Sequence, residues 1–353
     1  MMCCREVIDR WRALWYDKVH GFDDGELECA LAELMHDECH CHLAYPLGEC
    51  VGPEELLESI YRPLLAAVPD LERRDYIVVS GAAYEGIGGP PSTAHWVGCA
   101  GFYTGVFETP WLDIPATGHI MTLRYAEFFR IESGRIVEMR ALWDIPEVML
   151  GADAWPMVPS LGCEMLVPGP ATQDGIHPGL GIEPEGRARR AAASLDLVNR
   201  MLEGLGRYAE GGVAAMELER YWHPRLMWYG PAGIGSGRRV SGFRQWHQRP
   251  FLAGMPDRRN DGHHVVFSEG DYVALCGWPA LEATISGDGW LGIAPGGQQV
   301  RLRSLDFWRC EDALIRENWV LVDLLDVYRQ LGVDVLARMR QMTGGLRSER
   351  SSL

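Results

Sequence analysis

The sequence predicts an α+β protein built as two tandem copies of one domain, and three observations lead there. The first is an internal repeat. Glu127-Phe128-Phe129-Arg130 matches Asp306-Phe307-Trp308-Arg309, and Arg135-Ile136-Val137-Glu138 with Asp144 matches Leu314-Ile315-Arg316-Glu317 with Asp323, all at an offset of 179 residues. Trp111 and Trp290, and Gly118 and Gly297, keep that offset, whereas His36/His223, Pro63/Pro250 and Pro69-Asp70/Pro256-Asp257 are 187 apart. The second is that each half runs from helical to strand-like periodicity, the order of an α+β unit. The third is a Pro- and Gly-rich stretch without periodicity, Ala152 to Gly186, between the halves. A long-period repeat means that each copy buries its own core.

The elements follow in order. Val7, Trp11, Leu14 and Trp15 share one helical face, as do Leu27, Ala30, Leu31 and Leu34. His40 to Tyr45 reads as a strand. Pro53 suits a first helical turn, and Leu56, Leu57, Ile60, Leu64 and Leu65 carry that helix to Pro69. Strands are expected at Tyr76–Ala83, Ala94–Gly105, Ile120–Ile131 and Ile136–Trp143, with Ser133-Gly134 as a tight turn, together a curved antiparallel meander. The second half predicts helices over Leu195–Tyr208, Ala214–Tyr221 and Phe243–Leu252. Its strands fall at Leu226–Tyr229, His263–Phe267, Tyr272–Ile285, Val300–Arg309 and Leu314–Val322, before a last helix at Leu324–Leu331. The domain reading is 1–150, a linker 151–190 draped over the surface, 191–342, and a frayed tail 343–353. It requires two separate cone-like domains; a single merged sheet, or a Rossmann-type parallel sheet, overturns it outright.

Composition narrows the function. A net charge of −16 argues against nucleic acid, because phosphate binding needs a basic stripe. No apolar run is long enough for a membrane helix, and the first residues do not read as a secretory signal. The ten cysteines lack C-x-x-C spacing and read as free thiols in the cytoplasm. Lys18 is the one lysine, so Schiff-base chemistry is not expected. Gly86 to Pro91 lacks the lysine of a phosphate loop.

The run Gly101-Phe102-Tyr103-Thr104-Gly105, Ile114-Pro115-Ala116-Thr117-Gly118, Phe128-Phe129-Arg130, Gly134-Arg135-Ile136-Val137-Glu138 and Asp144 resembles the SnoaL-like polyketide cyclase family of the nuclear transport factor 2-like superfamily. The second half departs from it: Ile293-Ala294-Pro295-Gly296-Gly297 replaces the turn, while Glu317, Trp319, Asp323 and Gln330-Leu331-Gly332 are kept. The resemblance implies a cone-shaped fold in each half, helices set in the concavity of a bent sheet with a pocket at the open end. It also implies acid/base chemistry without metal or organic cofactor, and pairing through the outer sheet faces. Fold alone does not assign a reaction.

Among individual residues, Glu138, Arg140, Leu142 and Asp144 alternate onto one strand face. Asp144, with Asp323 as its counterpart, is the candidate general acid/base in an apolar pocket with a His or Arg in reach; the competing role is helix N-cap. His42 is a candidate proton shuttle. His40 and His42 share one face and supply two nitrogens, so a four-ligand metal site is not expected. Arg140, His95, Trp96, Tyr45, Trp228 and Trp319 are candidate substrate-binding residues, although Arg140 could simply neutralise Glu138 and His95 could face solvent. Glu127 and Asp306 read as structural acids. The resulting expectation is a cofactor-independent cyclase, isomerase or hydratase acting on a small hydrophobic carbonyl compound, in an intramolecular pseudo-dimer. The alternative is a non-catalytic small-molecule-binding or assembly protein.

Overall fold

A computed structural model describes residues 3–15 and 21–350; Lys18 lies outside them. Val7, Ile8, Trp11 and Trp15 bury the apolar stripe of α1 (Cys4–Ala13), and Leu27, Leu31 and Leu34 that of α2 (Asp24–Leu34). Strands β1 (Met35–Leu43) and β2 (Glu49–Val51) lead to α3 (Gly52–Leu56), a π-helical turn (Leu57–Tyr61) and α4 (Arg62–Ala67), which run on as one helix. The π turn precedes Pro63, which has no N–H to give to an α-helical bond. Then come β3 (Glu72–Glu85), β4 (Pro91–Val106), β5 (Ile120–Glu132), β6 (Arg135–Trp143) and α5 (Ile145–Gly151).

The second half retraces this order. Helix α6 (Pro184–Leu205) is followed by the short α7 (Tyr208–Gly211) and single 3₁₀ turns. Then β7 (Trp222–Tyr229) and β8 (Gly237–Arg238) lead to α8 (Arg239–Phe243), a π turn (Arg244–Gln248) and α9 (Arg249–Gly254). This π turn precedes Pro250, the counterpart of Pro63. Strands β9 (Arg259–Asn260), β10 (His264–Glu269), β11 (Tyr272–Thr284), β12 (Gln299–Glu311) and β13 (Leu314–Val322) and helices α10 (Leu324–Gln330) and α11 (Val335–Arg350) complete the chain. Two details of the repeat are structural. His36 Nδ1 accepts from Glu38 N and His223 Nδ1 from Arg225 N, closing the same turn in each half. Asp70 accepts from Val106 N at 2.7 Å and Asp257 from Thr284 N at 2.8 Å, so each Pro-Asp pair pins the same strand end.

Several expectations are corrected. The sheet is mixed, since β1 lies parallel to β6 and β7 parallel to β13. The strands form one thirteen-stranded sheet, in the order β2-β1-β6-β5-β4-β3-β10-β11-β12-β13-β7-β8 with β9 on β11. The join is narrow: Glu85 and Tyr84 at the end of β3 meet Val265 and Val266 of β10. Helix α6 starts inside the expected linker, because Pro184 suits a first turn and the Ala- and Arg-rich run after it favours helix. Ala214–Tyr221 forms 3₁₀ turns instead of a helix, and Thr343, placed in a frayed tail, is buried within α11.

Two buried layers result. One lies between each half-sheet and its helices. The other lies between the opposite faces of the half-sheets, where Phe128 meets Phe267 and Phe307 at centroid distances of 5.7 and 5.2 Å beside Trp96, Tyr229 and Trp319. Gly98 of β4 makes room: a Cβ there would lie 3.0 Å from the Phe307 ring. Residues 152–183 bind both halves along this layer. Gly175 O accepts from Val78 N, Pro168 O accepts from Trp319 Nε1, and Val167 is buried.

Candidate functional site

The helix-facing layers of the two halves differ in one respect: the first is filled and the second is hollow. In the first half Trp11, Trp15, Tyr61, Arg73, Tyr103 and Tyr125 are all fully buried, and Tyr61 stacks on Trp15 at 4.0 Å. Arg73 sits between Asp75 (2.8 Å) and Glu127 (2.6 Å), and Glu127 also accepts from Tyr103 Oη and Trp143 Nε1. Buried charges persist only when paired and hydrogen-bonded, and these are.

The equivalent positions of the second half carry smaller side chains. Trp11, Trp15, Tyr61 and Arg73 correspond to Val198, Leu202, Gln248 and Asn260 at the 187 offset, and Tyr125 and Trp143 to Ser304 and Val322 at 179. Tyr103 pairs with Leu123 on the neighbouring strand as Leu281 pairs with Leu302, so Leu281 takes its place. All of these except Val198 line a cavity of about 420 Å³. Trp222 and Trp228, at the positions of Met35 and Cys41, supply aromatic walls in return. Such a volume with mostly apolar walls falls within the range of small-molecule pockets in general.

The polar groups of the cavity are few. Asp306, at the position of Glu127, has no ion pair with a guanidinium among the described residues; Ser304 Oγ donates to it instead, with Asn318 nearby. Burial pushes its carboxyl up to about 7, against Ser304 and Asn318, which favour the charged form. His247 stacks on Trp228 at 4.2 Å; burial, then Arg258, push its imidazole down to about 3, which keeps it neutral. Neither His247 Nδ1 nor Gln248 Oε1 has a protein partner among the described residues. A protonatable carboxyl in an apolar cavity at neutral pH can take a proton from a bound carbon acid and return it.

The structure places the residues expected from sequence as follows. Asp144 is buried outside this cavity: Arg124 Nη2 donates to it at 2.7 Å and Ala232 N at 2.9 Å. Asp323, pushed up to about 7 by burial, accepts from Arg303 at 3.1 Å and Tyr45 N at 3.1 Å, and caps α10 through Asp326 N. The expectation of Asp144 in a mostly apolar pocket is therefore corrected: an arginine is in reach, but the strand face holding Leu142 and Asp144 turns to the other half while Met139, Ala141 and Trp143 face the helices. His42 pairs with Glu49 at 3.0 Å and is half-exposed. His95 is exposed, Arg140 pairs with Glu138 at 2.7 Å and lies over Trp96, and Trp319 stacks on Tyr229. Tyr45 is half-buried under Arg329. Trp228 alone of the expected residues lines the cavity.

Asp306, Asn318, Ser304, His247 and Arg258 were missed as site residues. The signal was present: subtracting one copy from the other shows the bulky residues of the first half lost together in the second.

Fold and site thus define an α+β protein with an apolar, acid-bearing cavity. Residues 209–331, which hold most of that cavity's lining, match the model of the SnoaL-like polyketide cyclase family. The match falls on the half in which the Pro-Ala-Thr-Gly turn is replaced. No curated protein matches the chain. Among solved structures, IdmH from Streptomyces antibioticus is 19% identical, over 42% of this chain and 95% of its own, with a TM-score of 0.32. TsrD from Streptomyces laurentii is 26% identical over 39% and 96%, with a TM-score of 0.31. An NTF2-like protein from Burkholderia thailandensis is 16% identical over 43% and 98%, with a TM-score of 0.30. No helix among the described residues is long and apolar enough to cross a membrane, and the ten cysteines are free thiols.

Proposed function

We propose that the chain is a cofactor-independent acid/base enzyme acting on a small hydrophobic carbonyl compound, and that its second half carries the chemistry. The observation that carries this reading is Asp306, a carboxyl poised near neutrality in an apolar cavity of about 420 Å³. As carboxylate it takes a proton from the carbon beside a carbonyl; as acid it returns one to the developing alkoxide or to carbon. Ser304 orients it, and the aromatic walls hold a flat substrate and keep water out. The chain is read as a tandem duplication whose two copies pair through their outer sheet faces. The filled first half favours a non-catalytic role for that copy: it covers the outer sheet face of the other.

The test needs no natural substrate. Exchange of the α-protons of 2-tetralone for deuterium, followed by NMR, should exceed the buffer rate in the presence of the protein. Asp306→Asn should lower the excess by roughly two to four orders of magnitude, the usual contribution of a general base. Exchange no faster than buffer, or undiminished in Asp306→Asn, rejects Asp306 as the base.

A further inference from the structure

The cavity holds a second ionic feature that acid/base chemistry at Asp306 does not use. Arg258 lines it, between α9 and β9, and forms no ion pair with a carboxylate among the described residues. Its Nη2 donates to Leu205 O at 2.7 Å, and its guanidinium lies 5.4 Å from the centroid of Tyr208. Burial pushes it down to about 10, the direction expected of a cation without a counter-charge. The neighbouring Arg259 is different: it is exposed and paired with Glu282 at 2.8 Å. Asp306, the acid of the cavity, is shifted by burial, Ser304 and Asn318 and not by Arg258. The cation and the acid thus act as separate stations in one apolar space.

We infer that the ligand of this cavity bears a carboxylate, seated on Arg258, at a distance from the carbonyl group presented to Asp306. A guanidinium held by one carbonyl oxygen and one ring face keeps N–H groups free for an anionic oxygen, and its planar fork suits a carboxylate. In a partly desolvated site that contact outweighs what water gives the free ion more readily than it would at the surface. The inference rests on the second-half cavity being the ligand site.

The probe pair is 6-acetyl-2-naphthoate and 6-acetyl-2-naphthamide, alike in shape and ketone and differing in charge. Calorimetric titration of the full chain should show the carboxylate binding about tenfold or more tighter, as a charge-assisted hydrogen bond allows. Arg258→Gln should bind both alike, and Arg258→Lys should keep part of the preference. Equal binding of the two probes by the unaltered protein, or an undiminished preference in Arg258→Gln, overturns the carboxylate inference and leaves the site standing. Binding of neither probe overturns both. Should Arg258→Gln fail to fold, the unaltered protein and Arg258→Lys still decide: a preference in Arg258→Lys as large as in the unaltered protein overturns the carboxylate inference.

Discussion

Asp144 accepts the backbone N–H of Ala232, and Asp323 accepts that of Tyr45, so each aspartate reaches from its own half into the other. Tyr45 and Ala232 are counterparts at the 187 offset, and the arginines that pair the two acids, Arg124 and Arg303, are counterparts at 179. The two clamps are related by the repeat itself. A carboxylate at the end of the last strand is thereby tied to the interface between the halves and drawn away from the helix-facing space.

Removing a clamp should cost stability and spare the chemistry. Arg124 is almost fully buried against Asp144. Asp144→Ala leaves that guanidinium without its ion pair, and breaking such a pair costs about 3–5 kcal/mol. Urea unfolding should show the loss, while 2-tetralone exchange per folded molecule stays within about twofold. A rate loss of the size expected for Asp306→Asn would return Asp144 to the catalytic role.

The pH dependence follows from Asp306. Exchange should rise with pH and level off above about 7, as the carboxyl loses its proton. Its folded value stands above the unfolded value of about 4, so the folded state binds the extra proton and stability falls as pH rises between those values. Asp306→Asn should flatten that part of the stability profile. Melting curves from pH 4 to 8 check it; an unchanged slope in the variant refutes the raised value.

Restoring the first-half side chain should close the cavity. Val322 stands where the first half has Trp143. Val322→Trp should abolish heat of binding for both naphthyl probes and leave the melting temperature equal or higher, because the indole fills space that is already open. Retained binding would place the ligand elsewhere.

The inter-half layer should behave as core. Phe307 is fully buried against Phe128, and Phe307→Ala should cost about 3–5 kcal/mol through lost burial and the cavity left behind. Denaturant unfolding measures it; a loss below about 1 kcal/mol would mean that the two faces are not joined in solution.

By itself the sequence determined the helix-then-strand order of each half, the α+β class and the alternation of side chains along the last strands, because helical and strand periods are written in consecutive residues. It held the positions of Asp144 and Asp323 on one strand face but not which face looks inward. Only the tertiary structure decided that: outward faces of the half-sheets found an apolar partner in each other, so Leu142 and Leu321 are as buried as the residues facing the helices. It also decided the join of β3 to β10, a two-residue pairing between segments about 180 residues apart that no local pattern encodes. The site likewise depends on volume. Asp306 and Glu127 occupy equivalent strand positions, and one is locked by Arg73 while the other faces open space because six side chains lining that space, most of them distant in sequence, are smaller.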